Sequence, residues 1–98
     1  MNITLELQYF KGCPHAEYAL QLVDAYRQAH QDVLVQIIEV RNEQQAQEIS
    51  FRGSPTILIN GRDMLDVPAP DEPRMACRFY PDGLPTLLEF EKIIGNSL

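Results

Sequence analysis

Residues 10–16 read Phe10-Lys11-Gly12-Cys13-Pro14-His15-Ala16, and the rest of the chain is interpreted from this stretch. An alternating apolar run ends here and a helical pattern begins, which places a cysteine at the corner between a strand and a helix. Proline is favoured at the first position of a helix, and the positive end of the helix dipole stabilises a negative sulfur. We therefore predict that Cys13 starts a helix as a reactive thiol of lowered pKa.

The second cysteine of a C-x-x-C redox motif is absent, because Ala16 stands at that position. A single thiolate can attack a disulfide and form a mixed disulfide, but it cannot release its partner by closing a local ring. His15 either adds positive charge beside the thiolate or is an ordinary solvated helix residue, and the sequence favours neither interpretation. Cys13, Pro14 and His15 are candidate catalytic residues.

Composition limits the classes of partner and the number of domains. The 98 residues suffice for a single domain over 1–98 with one core. Fourteen acidic against eight basic residues give a net charge of −6, which argues against nucleic acid and anionic membranes as partners. We see no signal peptide or membrane span and expect a cytoplasmic protein. In that reducing compartment the two cysteines are expected to be free, reactive or metal-facing thiols.

The hydrophobic pattern predicts an alternation of strands and helices. Strand, helix and strand in succession favour a parallel pair with a right-handed crossover. Capping signals at Asn42 with Gln45, and at Thr86 with Glu89, start the later helices. The predicted elements are a strand over 3–9, a helix over 14–29, a strand over 33–40, a helix over 42–49, a strand over 56–59 and a helix over 86–95.

A fourth strand is predicted from the hairpin signal Asn60-Gly61, which follows the third strand directly. Two segments could supply it. Residues 62–67 continue the hairpin but are weakly strand-like, whereas residues 75–80 regain strand character after a proline-interrupted acidic loop. The sequence does not decide between them.

The order of elements, with a Cys-Pro corner after the first strand and Ser54-Pro55-Thr56 before the third, resembles the thioredoxin fold. Within that fold, it more closely resembles small stand-alone bacterial thioredoxin- and glutaredoxin-like proteins, some labelled alkylmercury-lyase-like. The resemblance implies an α/β, thioredoxin-like fold of order β-α-β-α-β-β-α with a four-stranded mixed sheet. Its motifs lie at residues 9–14, 53–57, 60–63 and 77–80.

The same resemblance assigns roles around the third strand. It implies that Pro55 follows a cis peptide bond and lies against the active-site cysteine, which makes Pro55 a candidate catalytic residue. It also implies that Ser54 and Thr56 contact substrate, with the backbone of Ser54 pairing with a substrate strand.

Cys77 is a candidate second thiol, and its spacing from Cys13 does not say whether the two sulfurs meet. A disulfide needs Cα atoms within about 7 Å. Cys77 either replaces the missing motif cysteine as a resolving thiol or is an inert buried residue. Because Met75 and Phe79 share its alternating face and make that face apolar, we expect the inert form.

Three functions are compatible with these residues. The leading hypothesis is a thioredoxin/glutaredoxin-like protein that uses Cys13 alone for thiol–disulfide exchange with a protein or small-molecule thiol or disulfide. The second is a soft-metal or mercurial-binding protein that uses the thiolates of Cys13 and Cys77. The third is a redox-inactive interaction module that keeps only the fold. No cofactor and no resident metal are expected, and the oligomeric state is not predicted.

Overall fold

Strand β1 (Ile3–Tyr9) holds an inner position of the sheet in the computed structural model, which describes residues 3–97. Strand β2 (Val33–Glu39) runs parallel to it on one side, and strand β3 (Thr56–Ile59) runs antiparallel on the other. Strand β4 (Arg62–Asp63) pairs with β3, which gives the sheet order β2-β1-β3-β4. The predicted α/β class and the mixed sheet are therefore confirmed within residues 3–97.

Helices α1 (Ala16–Ala29) and α3 (Leu87–Asn96) contact each other, and their apolar residues share one core cluster with the sheet. Apolar residues at helical spacing bury one side of each helix, as expected for amphipathic helices. No helix within the described range is long and apolar enough to cross a membrane. The fully or nearly fully buried side chains of this core include Leu5, Leu7, Ala19, Val23, Ile57, Phe90 and Ile94.

Helix α2 (Glu43–Glu48) belongs to a second, smaller core, formed by Val40, Ala46 and Phe51. Its predicted cap is present, because the side chain of Asn42 accepts a hydrogen bond from the Gln45 amide at 2.8 Å. The predicted capping box of α3, formed by Thr86 and Glu89, is also present.

The fourth strand comes from the hairpin and not from residues 75–80. Asn60 and Gly61 adopt positive φ values of 50° and 85°, which turns the chain directly from β3 into β4. Residues 75–80 form no regular strand, and the segment joins the sheet through an isolated parallel bridge between Cys77 and Ser54.

The apolar face predicted for residues 75–80 is wrong at Cys77 and Phe79, although Met75 does pack against the smaller core. Arg78 and Tyr80 face inward, whereas Cys77 is exposed and Phe79 keeps 81% of its surface. The inward arrangement is tolerated because Arg78 forms an ion pair with Asp63 and the hydroxyl of Tyr80 has a hydrogen-bond acceptor.

Candidate active site

Cys13 and Cys77 are joined by a disulfide bond, with their Cα atoms 5.5 Å apart across 64 positions of sequence. The expectation that Cys77 is an inert buried residue away from Cys13 is therefore wrong. The two thiols expected to be free are both paired here. The physical reason lies in the backbone of Ser54, which pairs with the residues on either side of Cys77.

Cys13 lies just before the helix and not at its first residue. Helix α1 begins at Ala16 with His15 as its N-cap, so the start predicted at Pro14 falls in the preceding turn. The amide of Ala16 donates to the carbonyl oxygen of Cys13 at 3.2 Å, and Gly12 turns the chain with a φ of +100°. Cys13 retains only 7% of its surface and lies at the positive end of the α1 dipole.

The backbone of Ser54 is paired with the chain's own residues. Its amide donates to the carbonyl oxygen of Ala76 at 2.8 Å, and its carbonyl oxygen accepts from the amide of Arg78 at 2.9 Å. The edge that the resemblance assigns to a substrate strand is thus occupied by the segment 76–78.

The hydroxyl of Ser54 binds the backbone of the turn that leads to Cys13. Phe10 donates its amide hydrogen to Ser54 Oγ at 2.9 Å, and Ser54 Oγ donates to the carbonyl oxygen of Phe10 at 3.1 Å. One fully buried residue therefore fixes both the turn that leads to Cys13 and the segment that carries Cys77.

Pro55 follows a cis peptide bond, as the resemblance implies. Its carbonyl oxygen accepts a hydrogen bond from the Tyr80 hydroxyl. Thr56 is fully buried, and its hydroxyl donates to the carbonyl oxygen of Gly53 at 2.6 Å. In this structure the side chain of Thr56 faces the protein interior and supports the loop. His15 packs edge to face on the ring of Tyr80, with ring centroids 5.8 Å apart.

Gly53 allows the close approach of the segment 76–78. A Cβ at this position would lie 2.9 Å from the Cβ of Arg78 and 3.2 Å from the carbonyl oxygen of Ala76. The φ of Gly53 is +109°, a conformation that side chains disfavour. Glycine is thus required here for two independent reasons.

A buried ion pair anchors the same segment to the sheet. Arg78 Nη1 and Nη2 donate to the two carboxylate oxygens of Asp63 at 2.6 and 2.9 Å. Burial by itself would raise the pKa of Asp63, but hydrogen bonds from Arg78 and from the amides of Leu65 and Val67 lower the pKa below its ordinary value. The sequence shows that Asp63 and Arg78 could pair but gives no sign that the pair is buried, because Arg78 follows a polar, proline-rich loop.

A surface cavity of about 260 Å³ opens beside Cys77. Arg52, Glu72 and Arg74 contribute its charged lining. Arg74 pairs with Glu72 at 3.2 Å, whereas Arg52 donates to the uncharged carbonyl oxygen of Val67 at 2.8 Å. The cavity therefore carries one positive charge in excess next to the exposed cysteine.

Cys13 and Cys77 are the residues of this site that could bind a soft metal. Within residues 3–97, no group of three or more His, Cys, Asp or Glu side chains is arranged to hold a metal ion. Once reduced, Cys13 and Cys77 could offer two thiolates to a soft cation.

Comparisons with protein-family models, with curated proteins and with solved structures find no significant match.

Proposed function

We propose that this chain is a thioredoxin-like thiol–disulfide exchange protein whose redox centre is the Cys13–Cys77 pair. The observation that carries the proposal is the disulfide itself, formed between one nearly buried and one exposed cysteine across 64 positions. Cys77 supplies the second thiol that Ala16 removes from the usual motif. The single-thiol hypothesis is thereby replaced by a two-thiol mechanism.

The thioredoxin-like assignment is supported by the order of the elements and by the place of the cysteine. Cys13 lies between β1 and α1, and Pro55 precedes β3 directly. A cytoplasmic location, which remains a proposal, would fit a reversible bond, because disulfides in that compartment are usually transient and catalytic or redox-sensing.

The reduced form is expected to keep the two thiols facing each other. The backbone bonds of Ser54 to Ala76 and Arg78 do not depend on the disulfide, and neither does the ion pair of Arg78 with Asp63. Holding two reacting groups in place converts their reaction into a fast unimolecular step. Reoxidation after each cycle is therefore favoured over release of the segment.

The overall reaction balances with two external thiols. Two RSH molecules lose two protons and two electrons and leave as RSSR, and the protein disulfide takes up the electrons and protons to become two thiols. In the reverse direction the reduced protein reduces an external disulfide and closes its own.

Turnover tests the proposal. Exchange between glutathione and bis(2-hydroxyethyl) disulfide should be faster with the wild-type protein than in buffer, and the Cys13→Ser/Cys77→Ser double variant should give the buffer rate. Equal rates for the two proteins would reject the exchange function and leave the disulfide as a structural crosslink in an interaction module.

A second function is favoured by the adjacency of the two sulfurs. A dithiol with Cα atoms 5.5 Å apart is suited to clamp a soft cation between two thiolates. Titration of the reduced protein with Hg²⁺ would give one ion per chain if this function holds. The double serine variant should lose that site.

A further inference from the structure

We infer that Cys77, and not Cys13, is the sulfur that an external thiol attacks and that carries the mixed disulfide, while Cys13 is the leaving and resolving thiol. This inference rests on the proposed exchange function and gives each cysteine its role. It reverses the roles expected from the position of Cys13 before the helix.

Accessibility is the first reason. A thiolate must reach one sulfur of the disulfide from the side opposite to the sulfur that leaves. Cys13 keeps 7% of its surface and is enclosed between the turn after β1 and the segment 76–78. Cys77 is exposed and borders the cavity described above. An incoming thiol therefore reaches Cys77 before Cys13.

The second reason is the quality of the leaving group. Cys13 precedes the first turn of α1, whose dipole favours a negative charge at this end. A thiol that is more stable as a thiolate leaves faster in disulfide exchange. Cys77 lies on an irregular segment without a helix of its own. Both reasons thus assign the departing electron pair to Cys13.

The charge beside Cys77 indicates the class of partner. Because Arg74 is paired with Glu72, the unbalanced charge of the cavity is that of Arg52. A single positive charge attracts an approaching thiolate and the carboxylates of a low-molecular-weight thiol such as glutathione. We therefore assign small anionic thiols as partners of Cys77, despite the net charge of −6 on the whole chain.

The thiolate RS⁻ attacks Cys77 Sγ, an RS–Sγ bond forms, the bond to Cys13 Sγ breaks, and its electron pair stays on Cys13 as a thiolate. A second RS⁻ then attacks the sulfur of the bound R group, releases RSSR and leaves Cys77 as a thiolate. The two thiolates take up the two protons lost by the external thiols. Alternatively the Cys13 thiolate attacks Cys77 Sγ, expels RS⁻ and restores the disulfide.

Trapping the mixed disulfide in the wild-type protein tests the assignment without any substitution. The oxidised full-length protein is mixed with glutathione, quenched with acid after increasing times, alkylated with N-ethylmaleimide and digested with trypsin. Cys13 falls in the peptide 12–27 and Cys77 in the peptide 75–78. We expect glutathione on 75–78 and N-ethylmaleimide on 12–27.

Single variants test the same assignment by rate. The Cys13→Ser protein, with Cys77 free, should react with 5,5′-dithiobis(2-nitrobenzoate) about tenfold faster than the Cys77→Ser protein, because exposure controls access to the thiolate. In guanidinium chloride the two rates should become equal. If the mixed disulfide resolves too fast to be trapped, the reaction rates of the two single variants show which sulfur is attacked.

The outcomes separate the two proposals. Glutathione on the peptide 12–27, or a Cys77→Ser protein that reacts as fast as Cys13→Ser under native conditions, would overturn the assignment and leave exchange intact. A wild-type disulfide that glutathione neither opens nor modifies would overturn the exchange function and the assignment with it.

Discussion

Ser54 and Cys77 lie side by side as a parallel β-bridge, with hydrogen bonds of 2.8 Å from the Ser54 amide to Ala76 and 2.9 Å from the Arg78 amide to Ser54. Cys77 is therefore held opposite Cys13 by backbone hydrogen bonds as well as by the disulfide. The contributions of the disulfide and of these hydrogen bonds can be separated by experiment.

Reduction of the disulfide should lower the free energy of unfolding without unfolding the protein. A crosslink that closes a loop of 64 positions contributes about 4 kcal/mol through the entropy of the unfolded chain. Urea unfolding with and without dithiothreitol measures the difference. The Cys13→Ser/Cys77→Ser variant should not respond to the reductant, and a response of equal size in that variant would refute the attribution.

Replacement of Gly53 by alanine should displace the segment that carries Cys77. Gly83→Ala is the matched control, because Gly83 also has a positive φ, of 72°, but no atom lies within 4 Å of the added Cβ. Each variant should lose about 1 kcal/mol of the free energy of unfolding, because alanine disfavours a positive φ. Gly53→Ala should lose a further 1–3 kcal/mol, roughly, from the clash with Arg78.

The same pair of variants should differ in thiol chemistry. Gly53→Ala should reoxidise more slowly than wild type after reduction, because its two thiols are no longer held together, whereas Gly83→Ala should keep the wild-type rate. Stopped-flow reoxidation with excess glutathione disulfide measures this. Identical rates for both variants would show that the segment is not positioned by its contact with Gly53.

Loss of the buried ion pair should lower the free energy of unfolding much more than loss of an exposed pair. Asp63→Asn leaves the Arg78 guanidinium buried without its counter-charge and should lose about 3–5 kcal/mol. Asp66→Asn removes the partner of Arg62 from an exposed pair and should change stability by less than about 1 kcal/mol. Chemical unfolding at neutral pH compares the two variants. Equal losses would contradict the anchoring role of Arg78.

Acid should lower the free energy of unfolding through the carboxylate of Asp63. The pKa of Asp63 is lowered in the folded protein, so the unfolded chain binds its proton first as the pH falls. The contribution of Asp63 is complete above the ordinary pKa of about 4 and is lost as the pH drops through the lower folded value. Asp63→Asn should therefore show a flatter dependence of stability on pH below about 4.

Alkali should lower the free energy of unfolding through the hydroxyl of Tyr80. Burial raises the pKa of its hydroxyl to about 12, although Arg78 opposes the rise. The contribution of neutral Tyr80 is complete below the unfolded pKa of about 10 and is lost as the pH rises through the folded value. Tyr80→Phe should lose about 1 kcal/mol at neutral pH, because the Pro55 carbonyl oxygen loses its donor. The free energy of unfolding of Tyr80→Phe should also fall less than that of the parent protein between about pH 10 and 12. Chemical unfolding measures this for Tyr80→Phe and for its parent, both in the Cys13→Ser/Cys77→Ser background.

The sequence predicts the regular elements well, because their signals are local. Alternating apolar residues specify β1, helical spacing specifies α1, and the Thr86 capping box marks the start of α3. Asn60-Gly61 specifies a tight hairpin through the positive φ values that both residues tolerate. Each of these features depends on neighbours within a few positions.

The irregular half of the site could not be predicted in the same way. The path of residues 68–80 follows from contacts with Gly53 and Ser54, which are distant in sequence and leave no periodic pattern. Alternation in 75–80 is real, but hydrophobicity assigned its inner face to Cys77 and Phe79. The inner face instead holds Arg78 and Tyr80, because specific polar partners satisfy them.

The most direct test of the central claim is a redox titration of the native protein in glutathione buffers, with free thiols counted by intact mass after alkylation and folding followed by circular dichroism. We predict that the thiols of Cys13 and Cys77 appear together in one two-electron transition, with a slope near 30 mV per tenfold change, roughly, while the helical signal persists. A disulfide that yields no alkylated thiol until the helical signal is lost would contradict the account.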